Sequence, residues 1–172
     1  MRLYLAGPAG VGKSTAASLL AVHHGFSVYR LSDLLRDRER PRGRAWLQRY
    51  GDRLRAAFGA EALAVAAHQA VLCDEDAAGR AIDAVVDGVR LPEEAGYLRQ
   101  QGYRGLRIEA PEDLRRARLA AGGRSLAGPE AEHPTEQAAG DVPADLAIQN
   151  AGDLRGLDRA LQSALGRLRA GG

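Results

Sequence analysis

The chain has 172 residues, a net charge of +2 at pH 7, 45% hydrophobic residues and 27% charged residues. These values are typical of one globular domain, and so small a net charge gives no argument for nucleic-acid binding. No apolar run approaches the length of a membrane span and no secretory pattern is present, so we expect a cytoplasmic protein without membrane association. Cys73 is the only cysteine, which excludes an internal disulfide bond, and we expect it to be buried as a small apolar side chain.

Short apolar runs alternate with helical patterns along the chain. Runs at residues 3–6, 26–30, 84–86, 105–109 and 146–149 predict five strands separated by amphipathic helices. Between residues 46 and 72 the spacing predicts helices with buried aromatic residues, followed by an acidic loop at 73–80. Residues 122–144 are small and polar without periodicity, which predicts a loop that is disordered or acts as a lid. The alternation indicates an α/β fold with a parallel sheet.

The most informative stretch is LAGPAGVGKSTAAS at residues 5–18, between the first strand and the first helix. It contains G-x-x-x-x-G-K-[ST], whose glycines let consecutive backbone N–H groups surround the phosphates of a nucleoside triphosphate. Of the 24 basic residues only Lys13 is a lysine, and its compact charge suits the β- and γ-phosphates. Ser14 offers a hydroxyl to Mg²⁺. The predicted ATP-binding residues are Gly7, Pro8, Ala9, Gly10, Val11, Gly12, Lys13, Ser14 and Thr15.

Asp87 ends the third predicted strand, and ligands of α/β proteins bind at the carboxyl ends of the strands. A carboxylate there can hold Mg²⁺ through water opposite Ser14, and capping of a helix is the alternative interpretation. Residues 30–55 contain nine arginines against four acidic residues. That excess indicates either a solvated arginine-rich surface or an anion site for a second substrate.

Six segments that follow one another along the chain carry a family resemblance. They read GPAGVGKST, SDLLR, VVDGVRLPEEAGYLRQQG, APEDLRRARL, EHPTEQA and DLAIQNAGDLRGL, and they span nearly the whole sequence. In this order they resemble the P-loop nucleoside monophosphate kinases, most closely the deoxynucleoside monophosphate kinase-like and adenylate kinase-like members. The resemblance implies one domain over residues 1–172 with the three-layer P-loop NTPase fold and a five-stranded parallel sheet of order 2-3-1-4-5. It also implies a helical acceptor-binding segment at about residues 31–73 and a short lid at about residues 112–144.

The resemblance also implies roles for single residues. Arg36 in SDLLR matches the arginine that holds the acceptor phosphate, and Arg118 matches a phosphate-contacting arginine of the lid. Arg90 follows Asp87 one residue earlier than in the D-G-F-P-R segment of adenylate kinases. No residue matches the spacing of their second lid arginine, for which Arg124 is the substitute. The expected catalytic residues are Lys13, Asp87, Arg118 and Arg124. The expected acceptor contacts are Asp33, Arg36, Gln48, Arg55 and Arg90.

The predicted activity is Mg²⁺-dependent transfer of a phosphoryl group from ATP to a nucleoside or deoxynucleoside monophosphate, giving a diphosphate and ADP. An acceptor phosphate is already a nucleophile, so this chemistry needs positioning and charge neutralisation more than a base, which suits a chain with 4 histidines and many arginines. The lid has no cysteine cluster, so we expect no zinc. We expect small-molecule nucleotide partners and a monomer or homodimer. Two alternatives stay open: a P-loop kinase for another small molecule, such as dephospho-coenzyme A or a sugar acid, and a nucleotide-switched binding module.

Overall fold

The structure is a computed structural model that describes residues 1–35, 44–123 and 138–171. Its centre is a five-stranded parallel sheet in the order β2-β3-β1-β4-β5, as the family resemblance predicts. Each observed strand lies within one or two residues of a predicted one. The strands are β1 (Arg2–Ala6), β2 (Ser27–Arg30), β3 (Ala84–Asp87), β4 (Arg104–Glu109) and β5 (Leu146–Gln149).

Helices connect the strands in the described part of the chain. They are α1 (Lys13–His24), α2 (Leu31–Leu34), α3 (Arg44–Phe58), α4 (Ala62–Ala78), α5 (Pro92–Gln100), α6 (Glu112–Ala121) and α7 (Leu154–Ala170). The acidic loop predicted at 73–80 is wrong, because α4 continues through most of it. The helix ends only at Gly79, whose positive φ of 63° lets its N–H reach the carbonyl groups of Asp76 and Glu75.

The sheet is buried on both faces because its central strand, β1, is apolar from Leu3 to Ala6. Leu3 and Leu5 pack in one core cluster with residues of α1 and α7, whereas Tyr4 and Ala6 pack in a second cluster with residues of α2, α4 and α5. Successive strand residues point to opposite faces, so these clusters form the layers above and below the sheet. The predicted three-layer α/β architecture is confirmed.

Gly105 is the point at which β4 passes closest to its neighbours. An added Cβ would lie 2.5 Å from the ring Cζ and the hydroxyl oxygen of Tyr4, and 2.9 Å from the Cα of Ala144. The Tyr4 ring has little room to move, because it is fully buried and its hydroxyl donates to the Pro143 carbonyl at 2.8 Å. Gly105→Ala is therefore expected to lower the free energy of unfolding by about 1–3 kcal/mol, measured by urea denaturation.

Gly166→Ala provides the matched control. Nothing outside its own helix lies within 4 Å of a Cβ at Gly166, and glycine inside a helix is unfavourable relative to alanine. The free energy of unfolding of this variant should therefore be higher than that of the wild-type protein by about 0.5–1 kcal/mol, and its urea midpoint should rise accordingly. Similar losses in the two variants would contradict the close contact at Gly105.

The aromatic residues of α3 are not core residues, contrary to the sequence prediction. Trp46 and Tyr50 stack with their ring centroids 4.8 Å apart, while Tyr50 is 38% exposed and Phe58 is 74% exposed. Cys73, predicted to be buried, is also exposed. The aromatic side chains of α3 are outside the core because this helix packs mainly against α4, so that only one side of α3, with Leu47, contributes to the core.

No single helix among the described residues is long and apolar enough to span a membrane. The pair Trp46–Phe58 and Ala62–Ala78 meets that criterion only when both helices are counted together, across a bend of 89°.

Candidate active site

The loop between β1 and α1 is shaped by three glycines with positive φ, namely Gly7 at 126°, Gly10 at 81° and Gly12 at 97°. A Cβ on Gly7 would lie 2.3 Å from the Ile108 carbonyl oxygen, and one on Gly12 would lie 2.5 Å from Nδ2 of Asn150. Both the backbone angles and the lack of space therefore require glycine. A loop of this kind directs backbone N–H groups toward the N-terminus of α1, where an anion is favoured.

Lys13 is the first residue of α1, and its side chain turns back over the loop. Its Nζ donates to the carbonyl groups of Gly7 at 2.6 Å and Pro8 at 2.9 Å. The ammonium is thereby placed beside the loop in which the sequence predicts the β- and γ-phosphates. A flexible side chain of this length can exchange the carbonyl groups for phosphate oxygens with little movement of the backbone.

The side chains of Ser14 and Asp87 contact each other in the lining of the cavity. The Ser14 hydroxyl donates to Oδ2 of Asp87 at 2.9 Å, and Asp87 is only 4% exposed. The Arg30 Nε lies 3.8 Å from the same carboxylate oxygen, because Arg30 and Asp87 are neighbours in the parallel register of β2 and β3. Sequence reasoning did not single out Arg30, although its place as the last residue of a predicted strand was a usable signal.

The oxygen atoms of Ser14 and Asp87 fit a magnesium ion. A hydroxyl and a carboxylate are hard oxygen ligands of the type that Mg²⁺ takes beside phosphate groups, directly or through water. The 2.9 Å hydrogen bond shows that both oxygens reach one point at the edge of the glycine loop. A magnesium ion bound there would supply positive charge to the β- and γ-phosphates of a nucleoside triphosphate.

Helix α6 packs directly on the glycine loop. The Arg115 Nε donates to the Ala9 carbonyl at 2.9 Å, and a Cβ on Gly10 would lie 2.8 Å from the Arg115 carbonyl oxygen. Arg118, one turn further along the helix, faces the same cavity. Contacts between α6 and the loop thus hold Arg118 close to the site predicted for the phosphates.

The Arg118 guanidinium is incompletely paired within the part of the chain that the structure describes. Its Nη2 lies 3.5 Å from Oδ1 of Asn150, whereas its Nη1 is buried without a hydrogen-bond partner. Asn150 is itself buried and donates through Nδ2 to the Val11 carbonyl at 2.8 Å. A buried donor without an acceptor is unfavourable, so an anion in the cavity would be a favourable partner for Arg118. Sequence reasoning missed Asn150, which follows the fifth strand much as Asp87 ends the third.

One cavity of about 1010 Å³ connects the glycine loop with the arginine-rich side of the site. Of the predicted acceptor contacts, Gln48, Arg55 and Arg90 line it, whereas Asp33 is exposed and does not. Arg36 and Arg124 lie outside the described residues. The basic residues that line the described cavity are Lys13, Arg30, Arg55, Arg90 and Arg118.

Arg55 is held by a buried carboxylate that sequence reasoning missed. Oε1 of Glu94 accepts from Nε of Arg55 at 3.2 Å and from its Nη2 at 2.8 Å, and Glu94 has no exposed surface. Oε2 of the same side chain accepts from the backbone N–H groups of Arg90 and Leu91. Pro92 at the first position of α5 with Glu94 two residues later is a helix-start pattern that could have indicated this cap.

The described histidines lie outside the cavity lining. His23 and His24 contact the Asp158 carboxylate at 3.0 and 3.2 Å, near the end of α1. His68 is buried, and its Nδ1 lies 3.3 Å from the Tyr103 hydroxyl oxygen. Burial lowers the pKa of the His68 imidazole. The described lining of the cavity therefore offers no imidazole as a general base.

Comparison with known proteins places the chain in a family. The sequence matches the AAA domain over residues 3–137, which is more than half of its length. The chain belongs to the AAA domain family. The matched range contains the glycine loop, Asp87 and Arg118, so the cavity described above lies largely within the family domain. No curated protein sequence matches the chain.

Solved structures resemble this member of the AAA domain family over almost its whole length. Shikimate kinase from Aquifex aeolicus vf5 is 19% identical, with a TM-score of 0.57 and complete coverage of both chains. A gluconokinase from Sinorhizobium meliloti 1021 is 19% identical, with a TM-score of 0.58 and coverage of 97% of this chain and 92% of the other. TT1252 from Thermus thermophilus is 25% identical, with a TM-score of 0.60 and coverage of 98% and 97%. The fold is that of the P-loop kinases.

Proposed function

We propose that this protein transfers the γ-phosphoryl group of ATP to the phosphate of a nucleoside or deoxynucleoside monophosphate. The observation that carries the proposal is one cavity whose lining includes the glycine loop, Ser14 and Asp87 together with four arginines, Arg30, Arg55, Arg90 and Arg118. A donor and an acceptor bound in such a cavity have their phosphates in the same basic environment. Positioning and charge neutralisation are the main demands of phosphoryl transfer.

A phosphate acceptor suits the charges of the cavity better than a hydroxyl acceptor. The carboxylates that line the described cavity belong to Asp87 and Asp153. Asp87 is engaged by Ser14 and Arg30, and Asp153 accepts from the Gly156 N–H at 2.8 Å as the cap of α7. A hydroxyl acceptor benefits from a base that takes its proton, whereas an ionised phosphate needs none.

The proposed reaction divides the work among the lining residues. An oxygen of the acceptor phosphate attacks the γ-phosphorus, and the bond to the bridging oxygen breaks as ADP leaves. Lys13 and Arg118 neutralise the charge on the transferred group, while Ser14 and Asp87 are the residues that would hold a magnesium ion. Arg90 is proposed to contact the acceptor phosphate and Gln48 its base. A cavity of about 1010 Å³ is at the upper end of the range for one drug-sized ligand, which leaves space for two substrates.

A coupled assay of ADP release tests the proposal directly. The acceptors are ribonucleoside and deoxynucleoside monophosphates, with shikimate, gluconate and dephospho-coenzyme A as competing arms. We expect ADP release that depends on at least one nucleoside monophosphate and exceeds the rate with ATP alone. Release with a sugar acid or shikimate but with no monophosphate would replace the proposal by the other kinase class. If none of the acceptors increases ADP release above the rate with ATP alone, a nucleotide-switched binding module would be favoured.

Arg118→Ala should lower kcat about 100-fold while the Kd values of ATP and the acceptor change little. The reason is that Arg118 is proposed to stabilise charge that develops during transfer, which is a loss in kcat rather than in binding. Stopped-flow or steady-state ADP release gives kcat, and calorimetry gives the two Kd values. Arg116→Ala is the control, because Arg116 lies on the same helix but is exposed and paired with Glu112. Equal effects of both substitutions would contradict a specific role for Arg118.

A further inference from the structure

We propose that Glu94 is a positioning residue that holds the two arginines on the acceptor side of the cavity, Arg55 through its side chain and Arg90 through its backbone. The inference rests on the proposed function, since an acceptor phosphate is the group that these arginines are placed to meet. It adds a carboxylate that does not itself line the cavity.

Four hydrogen bonds converge on the Glu94 carboxylate. Its Oε1 accepts from Arg55 Nε at 3.2 Å and Nη2 at 2.8 Å. Its Oε2 accepts from the N–H groups of Arg90 at 2.8 Å and Leu91 at 3.2 Å. One side chain thereby joins α3, the connection between β3 and α5, and the first turn of α5.

The pairing leaves Arg55 little freedom. Its side chain is 13% exposed, its Nε and Nη2 are bound by Glu94, and its Nη1 lies 3.6 Å from Oδ1 of Asp52. Arg55 therefore fixes α3, part of the predicted acceptor-binding segment, against the connection that carries Arg90. The position of Arg90 relative to α3 is set by the same carboxylate.

Stability alone is a poor explanation for this arrangement. Replacing a buried ion pair with apolar residues of similar volume is often neutral or stabilising, so such pairs are weak evidence for a stabilising role. Capping of the helix start uses only Oε2 of Glu94, which accepts from the N–H groups of Arg90 and Leu91, and does not require the contact of Oε1 with Arg55. What Glu94 provides beyond either alternative is a fixed distance between two arginines that line one cavity.

Glu94→Gln tests the inference, because it keeps the size and one acceptor oxygen of the side chain but removes its charge. The protein is first saturated with a non-hydrolysable ATP analogue, and inorganic phosphate is then titrated by calorimetry or ³¹P NMR. We expect the Kd of phosphate to rise about 10- to 100-fold, the loss typical of one hydrogen bond to a charged group. The Kd of the ATP analogue should change by less than about twofold. Glu93→Gln, an exposed neighbour on the same helix, should change neither constant.

Two further variants separate positioning from loss of stability. Gly105→Ala is expected to be destabilised, lies outside the cavity lining, and should bind phosphate like the wild-type protein. In an Arg55→Gln background, Glu94→Gln should weaken phosphate binding by a smaller factor than in the wild-type protein, because one of the two arginines that Glu94 positions is then already absent. If a monophosphate proves to be the acceptor, its KM in Glu94→Gln should rise by the same factor as the phosphate Kd, with the KM for ATP nearly unchanged.

The outcomes distinguish this inference from the proposed function. Equal phosphate affinity in Glu94→Gln and the wild-type protein, or equal weakening of phosphate and ATP analogue, would overturn the positioning role. Weaker phosphate binding in Glu94→Gln, together with no turnover of any monophosphate, would support the positioning role and refute the proposed acceptor. Turnover of a monophosphate with an unchanged KM in the variant would do the reverse. If phosphate does not bind the wild-type protein, the anion site itself is refuted.

Discussion

Lys13→Ala is expected to reduce phosphoryl transfer about 100- to 1000-fold. The substitution removes the only lysine in the chain, whose ammonium lies beside the glycine loop and donates to the carbonyl groups of Gly7 and Pro8. Removing one donor that stabilises transition-state charge costs a factor of that size in kcat. Turnover is measured by ADP release with a saturating acceptor, and the Kd of ATP by calorimetry.

Folding should change much less than activity in Lys13→Ala. The lysine is only half-buried, and each of its hydrogen bonds to a loop carbonyl contributes about 1 kcal/mol or less. Lys13→Arg is an informative companion, because a planar guanidinium does not replace a compact ammonium at this position, so its activity should also stay low. Near-normal turnover in Lys13→Ala would refute a catalytic role for the glycine loop, and global unfolding would show that the lysine is structural.

Asp87→Asn is expected to lower turnover about 100-fold and to raise the Mg²⁺ concentration required for half-maximal activity. The substitution removes the negative charge that faces the Ser14 hydroxyl and Arg30. A neutral amide is a weaker ligand for a hard divalent cation than a carboxylate, directly or through water. Activity is followed as a function of Mg²⁺ at fixed ATP, and Mn²⁺ binding measured by electron paramagnetic resonance gives a readout that does not depend on turnover.

Asp153→Asn is the matched control for Asp87→Asn. Asp153 lines the same cavity, but its carboxylate caps α7 by accepting from the Gly156 N–H. Asparagine caps helices about as well as aspartate, so we expect stability, turnover and the Mg²⁺ requirement to stay close to the wild-type values. The assignment of Asp87 fails if both variants shift the Mg²⁺ requirement equally, because a general change in cavity charge would then explain the result.

The sequence by itself predicted the parts of this protein that are encoded in contiguous residues. The glycine loop requires positive φ at fixed spacing, and a buried strand of a parallel sheet requires an apolar run, so both leave a local signal. Asp87 could be assigned to the carboxyl end of a strand for the same reason, since it ends such a run. The strand order followed from the family resemblance of six short segments rather than from any single one. The roles of Arg36 and Arg124 stay predictions.

The tertiary structure alone decided which distant side chains meet at the cavity. The sequence predicted that Asp87 lies opposite Ser14, but it did not predict that Asn150 reaches the loop at Val11 across 139 residues or that Glu94 holds Arg55 across 39 residues. Neither of these two pairs has a periodic or local signature, because each depends on how helices pack against the ends of strands. The exposure of Phe58 and the turn of Asp33 away from the cavity were decided in the same way. Amphipathic spacing predicts that a helix has an apolar face, but only the packing of neighbouring elements determines how much of that face is covered.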